Sequence, residues 1–145
     1  MPEIQKRILA LDAGEVRIGV AVSDPLLISA RSLDAIAARN FERAAREINS
    51  LVEKYDAGLV IIGLPLKLDG GDSPQTTKVR AFAADLEKTL PVPVQLHDER
   101  FTSKISRDVL LSADVSRKKQ KKAIDSLSAA VLLQSYLDSR SRRES

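Results

Sequence analysis

A chain of 145 residues, 43% hydrophobic and 30% charged, is long enough for one core, too short for a multidomain assembly and too apolar to be disordered. It contains no cysteine, which excludes a disulfide framework, a thiolate zinc site and a thiol nucleophile, and points to a cytoplasmic protein. The formal charge of +3 is uneven, net −3 over residues 1–99 and net +6 over residues 100–145, which suggests a polyanionic partner; scarce aromatics favour phosphate contacts over base stacking.

The start, MPEIQKR, has no apolar stretch behind its basic residues, and the uncharged run Ser126 to Leu137 is shorter than the roughly 18 apolar residues of a membrane span. Neither export nor membrane insertion is expected. Residues 7–12, RILALD, are nearly continuously apolar, the pattern of a central strand covered on both faces. After a turn at Gly14, RIGVAVS puts Ile18, Val20 and Val22 on one face, so the two runs read as a hairpin. A third strand is expected near residues 28–36. Asn40 is a good N-cap for an amphipathic helix carrying Phe41, Ala44, Ala45, Ile48, Leu51, Val52 and Tyr55 at helical spacing.

GLVIIG, from Gly58 to Gly63, is the signature of a short buried parallel strand, and Leu64 to Pro74, with Pro65, Gly70 and Gly71, must be a loop. Ser73 and Pro74 then open a second helix, which Pro91 and Pro93 end. VQLHD makes a short strand. A third helix is expected from Thr102 or Ser103 to about Ala113, and a final one from about Lys118 to Asp138. Residues 1–138 thus form a single domain, followed by a polar tail, 139–145, expected to be flexible. An antiparallel meander followed by βαβ crossovers predicts an α/β fold, a mixed sheet with helices on both sides.

Three carboxylates sit where carboxylates are costly: Asp12 ends an apolar strand, Glu99 ends VQLHDE, and Asp125 begins the apolar part of the last helix. Each needs a partner, because an ionised carboxylate in apolar surroundings costs several kcal/mol unless paired or coordinated. In open sheets ligands collect beyond the carboxyl ends of the parallel strands, where Asp12 and Glu99 meet. If Asp125 joins them, divalent cations relieve the repulsion, and oxygen-only ligands favour Mg²⁺ or Mn²⁺. Two such ions about 3.5–4 Å apart suit in-line hydrolysis of a phosphodiester.

Asp12-Ala-Gly14, Arg17-Ile-Gly-Val-Ala-Val-Ser-Asp24, Gly63-Leu-Pro-Leu with Asp69-Gly70, Asp98-Glu99-Arg100-Phe-Thr102, and Ala123-Ile-Asp125 with Ala129-Ala130 closely resemble the YqgF/RuvX family. Its members are described as pre-16S rRNA nucleases and formerly bore the name Holliday-junction resolvase. The resemblance spans residues 7 to 138. It implies an RNase H-like three-layer fold whose five-stranded sheet has the order 3-2-1-4-5 with strand 2 antiparallel. It also implies that Asp12, Glu99 and Asp125 are the catalytic metal ligands, with Glu99 rather than Asp98 facing the site. The implied substrate is nucleic acid, RNA in preference to DNA.

Each residue also has a plainer reading. Asp12 could cap its own turn, and Asp125 could pair with Lys121 or Lys122 on the same helix. The run Arg117, Lys118, Lys119, Lys121 and Lys122 could be a solvated helix start, but like charges at a positive helix end are unfavourable, which argues for a phosphate partner. Arg17 and Arg100 are further candidates for substrate contact. His97, the only histidine, reads as neutral and partly buried.

Three functions compete. The first is a metal-dependent nuclease maturing the 5′ end of pre-16S rRNA, and the second a Holliday-junction resolvase, which is easiest as a C2 homodimer. The third is a non-catalytic RNA-binding assembly factor. Asp12-x-Gly14 also resembles the phosphate loop of actin and hexokinase domains, but those close two domains around ATP and this chain supplies one. Monomer and homodimer both remain open.

Overall fold

The computed structural model describes residues 6–99 and 117–144, with side chains of the last helix described from 126 to 140. The elements are β1 (Arg7–Ala13), β2 (Arg17–Ser23), β3 (Ala30–Ala37), α1 (Phe41–Lys54), β4 (Ala57–Leu64), α2 (Pro74–Thr89), β5 (Val94–Asp98) and α3 (Arg117–Glu144). The strands form one sheet in the order β3-β2-β1-β4-β5. Strand β2 runs antiparallel to both neighbours, while β1, β4 and β5 are parallel. This is the expected order. The helix predicted between Thr102 and Ala113 lies outside the described residues.

Strand β1 is central because nothing between Ile8 and Leu11 is polar, so both of its faces can be covered. Leu9 and Leu11 join Val20, Val22, Val60 and Ile62 in the core beneath α1 and α2. Ile8 and Ala10 join Ala21 and Ile61 in a second core, with Ala129, Leu132, Leu133 and Leu137 of α3. The small Ala10 and Ala21 let α3 approach the sheet closely. Leu132 and Leu133 are fully buried, and each contributes about 1.5–3 kcal/mol through the area it removes from water.

The helices begin where the cap residues indicate. The Asn40 side chain accepts from Arg43 N at 3.0 Å to open α1. At α2, Ser73 Oγ accepts from Thr76 N at 3.3 Å while Ser73 N donates to Thr76 Oγ1 at 3.0 Å, a reciprocal box ahead of Pro74. Helix α3 is tied to the outer strand: Ser126 Oγ donates to Leu33 O at 2.5 Å, and Ser32 Oγ donates to Ser126 O at 3.1 Å. Further along, Ala30 N donates to Gln134 Oε1 at 3.2 Å. Beyond the expected end at Asp138, α3 continues to Glu144, since residues 139–144 contain no glycine or proline to stop it.

Candidate functional site

The alternation of each strand decides which side chains meet at the carboxyl end of the sheet. Ile8 and Ala10 lie against α3, so Asp12 is carried on that face just past the apolar core. On β4, Gly63 shares the face of Ile61. On β5, His97 meets Tyr136 of α3 edge-on, with ring centroids 5.5 Å apart, so Glu99, two residues further, continues on the α3 side. Glu99 N donates to Leu64 O at 3.3 Å, which extends the β4–β5 ladder past Asp98. Asp98 itself is exposed and points the other way by the same alternation.

Two glycines flank Asp12. Gly19 is its partner on β2, and Gly63 lies one rung beyond the Leu11–Ile62 pair on β4. Gly63 is bare for a visible reason. A Cβ there would sit 2.9 Å from Glu99 Cδ, nearer still to Glu99 Oε2, and 3.0 Å from Leu132 Cδ2. The carboxyl of Glu99 therefore rests directly on the β4 backbone, wedged against the α3 leucine.

That seat has an electrostatic cost. The Glu99 carboxyl is pushed up to about 8 from an ordinary 4.5, first by burial, then by the negative charges of Asp12 and Asp98. At neutral pH, without a cation, Glu99 holds its proton. Asp12 and Glu99 thus form a crowded pair of hard oxygen donors at the carboxyl end of three parallel strands. Among the described residues no group of three acidic or histidine side chains is close enough to hold a metal ion.

Of the residues singled out from sequence, Asp12 and Glu99 are brought together. Position 125 lies on α3 one turn before Ala129 and two before Leu132, the residues facing the sheet, but the Asp125 side chain lies outside those described. Arg17 begins β2 on the α3 face, half-buried, in a cleft of about 590 Å³ with Asp34, Arg39 and Ser126. The side chains of Arg117, Lys118, Lys119, Lys121 and Lys122, on the first turns of α3, lie outside the described residues, as does Arg100. Sequence reasoning misses the contribution of Gly63. GLVIIG reads as a run bounded by glycines, whereas Gly63 lies inside β4, and an isolated glycine within a strand is itself a sign of close approach.

The sequence profile of the RuvX family, described as Holliday junction resolvase, matches residues 6–139. A protein of Koribacter versatilis named "Putative pre-16S rRNA nuclease" is 44% identical over 137 residues, covering 94% of this chain and 90% of that one. A protein of the same name from Pelotomaculum thermopropionicum is 42% identical, covering 94% and 89%. Among solved structures, Thermus thermophilus RuvC in complex with Holliday junction substrate superposes with a TM-score of 0.60 at 13% identity, covering 95% of this chain and 97% of that one. The fowlpox virus Holliday junction resolvase gives 0.56 at 18%, covering 92% and 99%. At such identities the two structures establish the fold, the RNase H-like one of RuvC.

Proposed function

Since the chain belongs to the RuvX family, we propose that it is a divalent-metal-dependent nuclease that hydrolyses phosphodiester bonds of RNA, with 5′-end maturation of pre-16S rRNA as its task. The observation that carries this reading is the Glu99 carboxyl, seated on the bare backbone of β4 at Gly63 and within reach of the negative charge of Asp12 on β1. A carboxyl that keeps its proton because it is buried, and next because another carboxyl lies near, is poorly arranged for stability alone. The two are well arranged to receive a hard cation, and an oxygen-only donor set suits Mg²⁺ or Mn²⁺.

Asp12, Glu99 and, by its position on α3, Asp125 are the proposed metal ligands. A divalent cation held there would supply Lewis acidity toward the phosphodiester and lower the pKa of an attacking water. The chain's own part is geometric and electrostatic. Rigid β1 fixes Asp12, the Gly63 seat fixes the carboxyl of Glu99 before substrate arrives, and Glu99 surrenders its proton as the site fills. Arg17, Arg100 and the basic start of α3 (Arg117, Lys118, Lys119, Lys121, Lys122) are the proposed phosphate contacts, neutralising the strand that the carboxylates would otherwise repel. The compartment proposed is the cytoplasm; among the described residues no helix is long and apolar enough to cross a membrane.

The test is cleavage of a labelled precursor RNA in Mg²⁺ and in Mn²⁺ by the native chain and by Asp12→Asn. The variant is expected to lose activity by about two orders of magnitude or more while still binding RNA. Equal cleavage by both overturns the assignment, and no cleavage by either favours the assembly-factor reading. The family description supports a second reading, a junction resolvase. Sedimentation with a four-way DNA junction separates the two, since a persistent monomer that cuts single-stranded RNA disfavours it.

A further inference from the structure

The end of the sheet opposite the carboxylates carries charges that the proposed nuclease site does not use. A concavity of about 770 Å³ opens there between the start of β1, the end of β2, the start of β3 and the end of α1. Arg7, Arg31 and Lys54, from three different elements, converge on the ring of Tyr55. Arg7 Cζ lies 5.6 Å from the ring centroid, Arg31 Cζ 5.8 Å and Lys54 Nζ 5.4 Å. Sharing one ring keeps the three cations within about twice those distances of one another, where they repel.

Among the described residues no carboxylate forms an ion pair with any of the three. The two acidic residues of the concavity are engaged elsewhere. Asp24 Oδ1 accepts from Ile28 N at 2.7 Å and from Ser29 N at 2.9 Å, and Asp56 lies 3.8 Å from Lys6 Nζ.

The geometry points to a second anion site, in which Arg7, Arg31 and Lys54 take a backbone phosphate of a nucleic-acid chain far from the scissile bond. This rests on the nucleic-acid reading given above. Two guanidinium forks and an ammonium match the several oxygens of a phosphate, and the negative face of Tyr55 holds the cations in place beforehand. The concavity is larger than one phosphate group, as a site for one link of a passing chain should be. Arg7 and Asp12 lie at opposite ends of β1 and, by alternation, on opposite faces, about 17 Å apart along the strand. Only a long substrate that bends around the sheet reaches both; a short one reaches the carboxylates alone.

The experiment measures binding of a labelled oligouridylate by fluorescence anisotropy over a range of salt, in the Asp12→Asn background so that the RNA survives. Adding Arg7→Gln, Arg31→Gln and Lys54→Gln together is expected to weaken binding about tenfold and to reduce the salt slope by about 0.7 for each phosphate no longer neutralised. With Asp12 restored, the triple variant should raise KM for long RNA while leaving kcat and the cleavage of short RNA unchanged. Should the triple variant fold poorly, Lys54→Glu at the exposed end of α1 should still weaken binding more than Lys54→Gln. Unchanged affinity and slope in these variants overturn the proposal. So does binding of inorganic phosphate that the triple variant loses while its affinity for RNA stays that of the Asp12→Asn chain, which would assign the pocket to free phosphate. Variant-sensitive binding without any cleavage by the native chain would sink the nuclease reading and leave this site standing.

Discussion

Replacing Glu99 with glutamine isolates the electrostatic cost of the candidate site. Glutamine keeps the shape of the carboxyl but never ionises, so it removes only the charge. A carboxyl raised from 4.5 to about 8 keeps its proton in the folded chain through a range where the unfolded chain has lost it. The folded state then binds more protons, and stability falls as pH rises from about 4.5 to 8. The full shift corresponds to an upper limit of about 5 kcal/mol at 1.36 kcal/mol per pH unit, which solvent access reduces to roughly 2–5 kcal/mol. Thermal unfolding of native and Glu99→Gln chains in chelator should therefore coincide at pH 4, separate progressively between about pH 4.5 and 8, and lie furthest apart above pH 8, with the variant melting roughly 5–15 °C higher. At high pH, Mg²⁺ or Mn²⁺ at a hundredfold excess over Kd should stabilise the native chain by about 2.7 kcal/mol, seen as a higher Tm, and leave the variant nearly unmoved. Superimposable melting curves for the two proteins across this pH range would refute the crowding argument, whatever the activity assay reports.

Gly63→Ala should drive a methyl group into the Glu99 carboxyl and Leu132, costing about 1–3 kcal/mol by denaturant titration and removing the cation-dependent rise in Tm. An unchanged cation response would show that the bare backbone is not what positions Glu99. Leu132→Ala, at a fully buried α3 position, should cost about 2–5 kcal/mol in urea, and a loss below about 1 kcal/mol would mean that α3 packs more loosely than described. Alanine at Lys118, Lys119, Lys121 and Lys122 together should flatten the salt dependence of RNA binding by about 0.7 per phosphate set free, and an identical slope would remove α3's basic start from the interface.

What the sequence disclosed depended on how far each signal travels along the chain. The face of β2 was legible because Ile18, Val20 and Val22 alternate within a single run, and the central place of β1 because its run from Ile8 to Leu11 is apolar throughout. The start of α1 was legible because Asn40 and Arg43 make its cap locally. The choice between Asp98 and Glu99 was half legible. Alternation allowed one of them to face the site, and the resemblance picked Glu99, but only the packing of His97 on Tyr136 ties that side of β5 to α3. The seat at Gly63 was hidden because what fills the missing Cβ comes from β5's end and from α3, far away in sequence. The cluster around Tyr55 was hidden for the same reason: Arg7, Arg31 and Lys54 lie far from one another in sequence, inside a net acidic stretch, and only the packing of α1 on the sheet gathers them. The asymmetry of charge along the chain directed attention to the C-terminal third and away from this end.

The second core, under α3, has a consequence for how the protein is made. Its floor (Ile8, Ala10, Ala21, Ile61) leaves the ribosome early, while the residues that cover it (Ala129, Leu132, Leu133, Leu137) belong to α3, which follows all five strands in the chain. Until α3 emerges, then, that side of the sheet lacks the apolar cover α3 supplies, and the outermost strand waits for Ser126 and Gln134 to bind it. A chain stalled or cut short before α3 would be adhesive, a natural client for a chaperone or a protease.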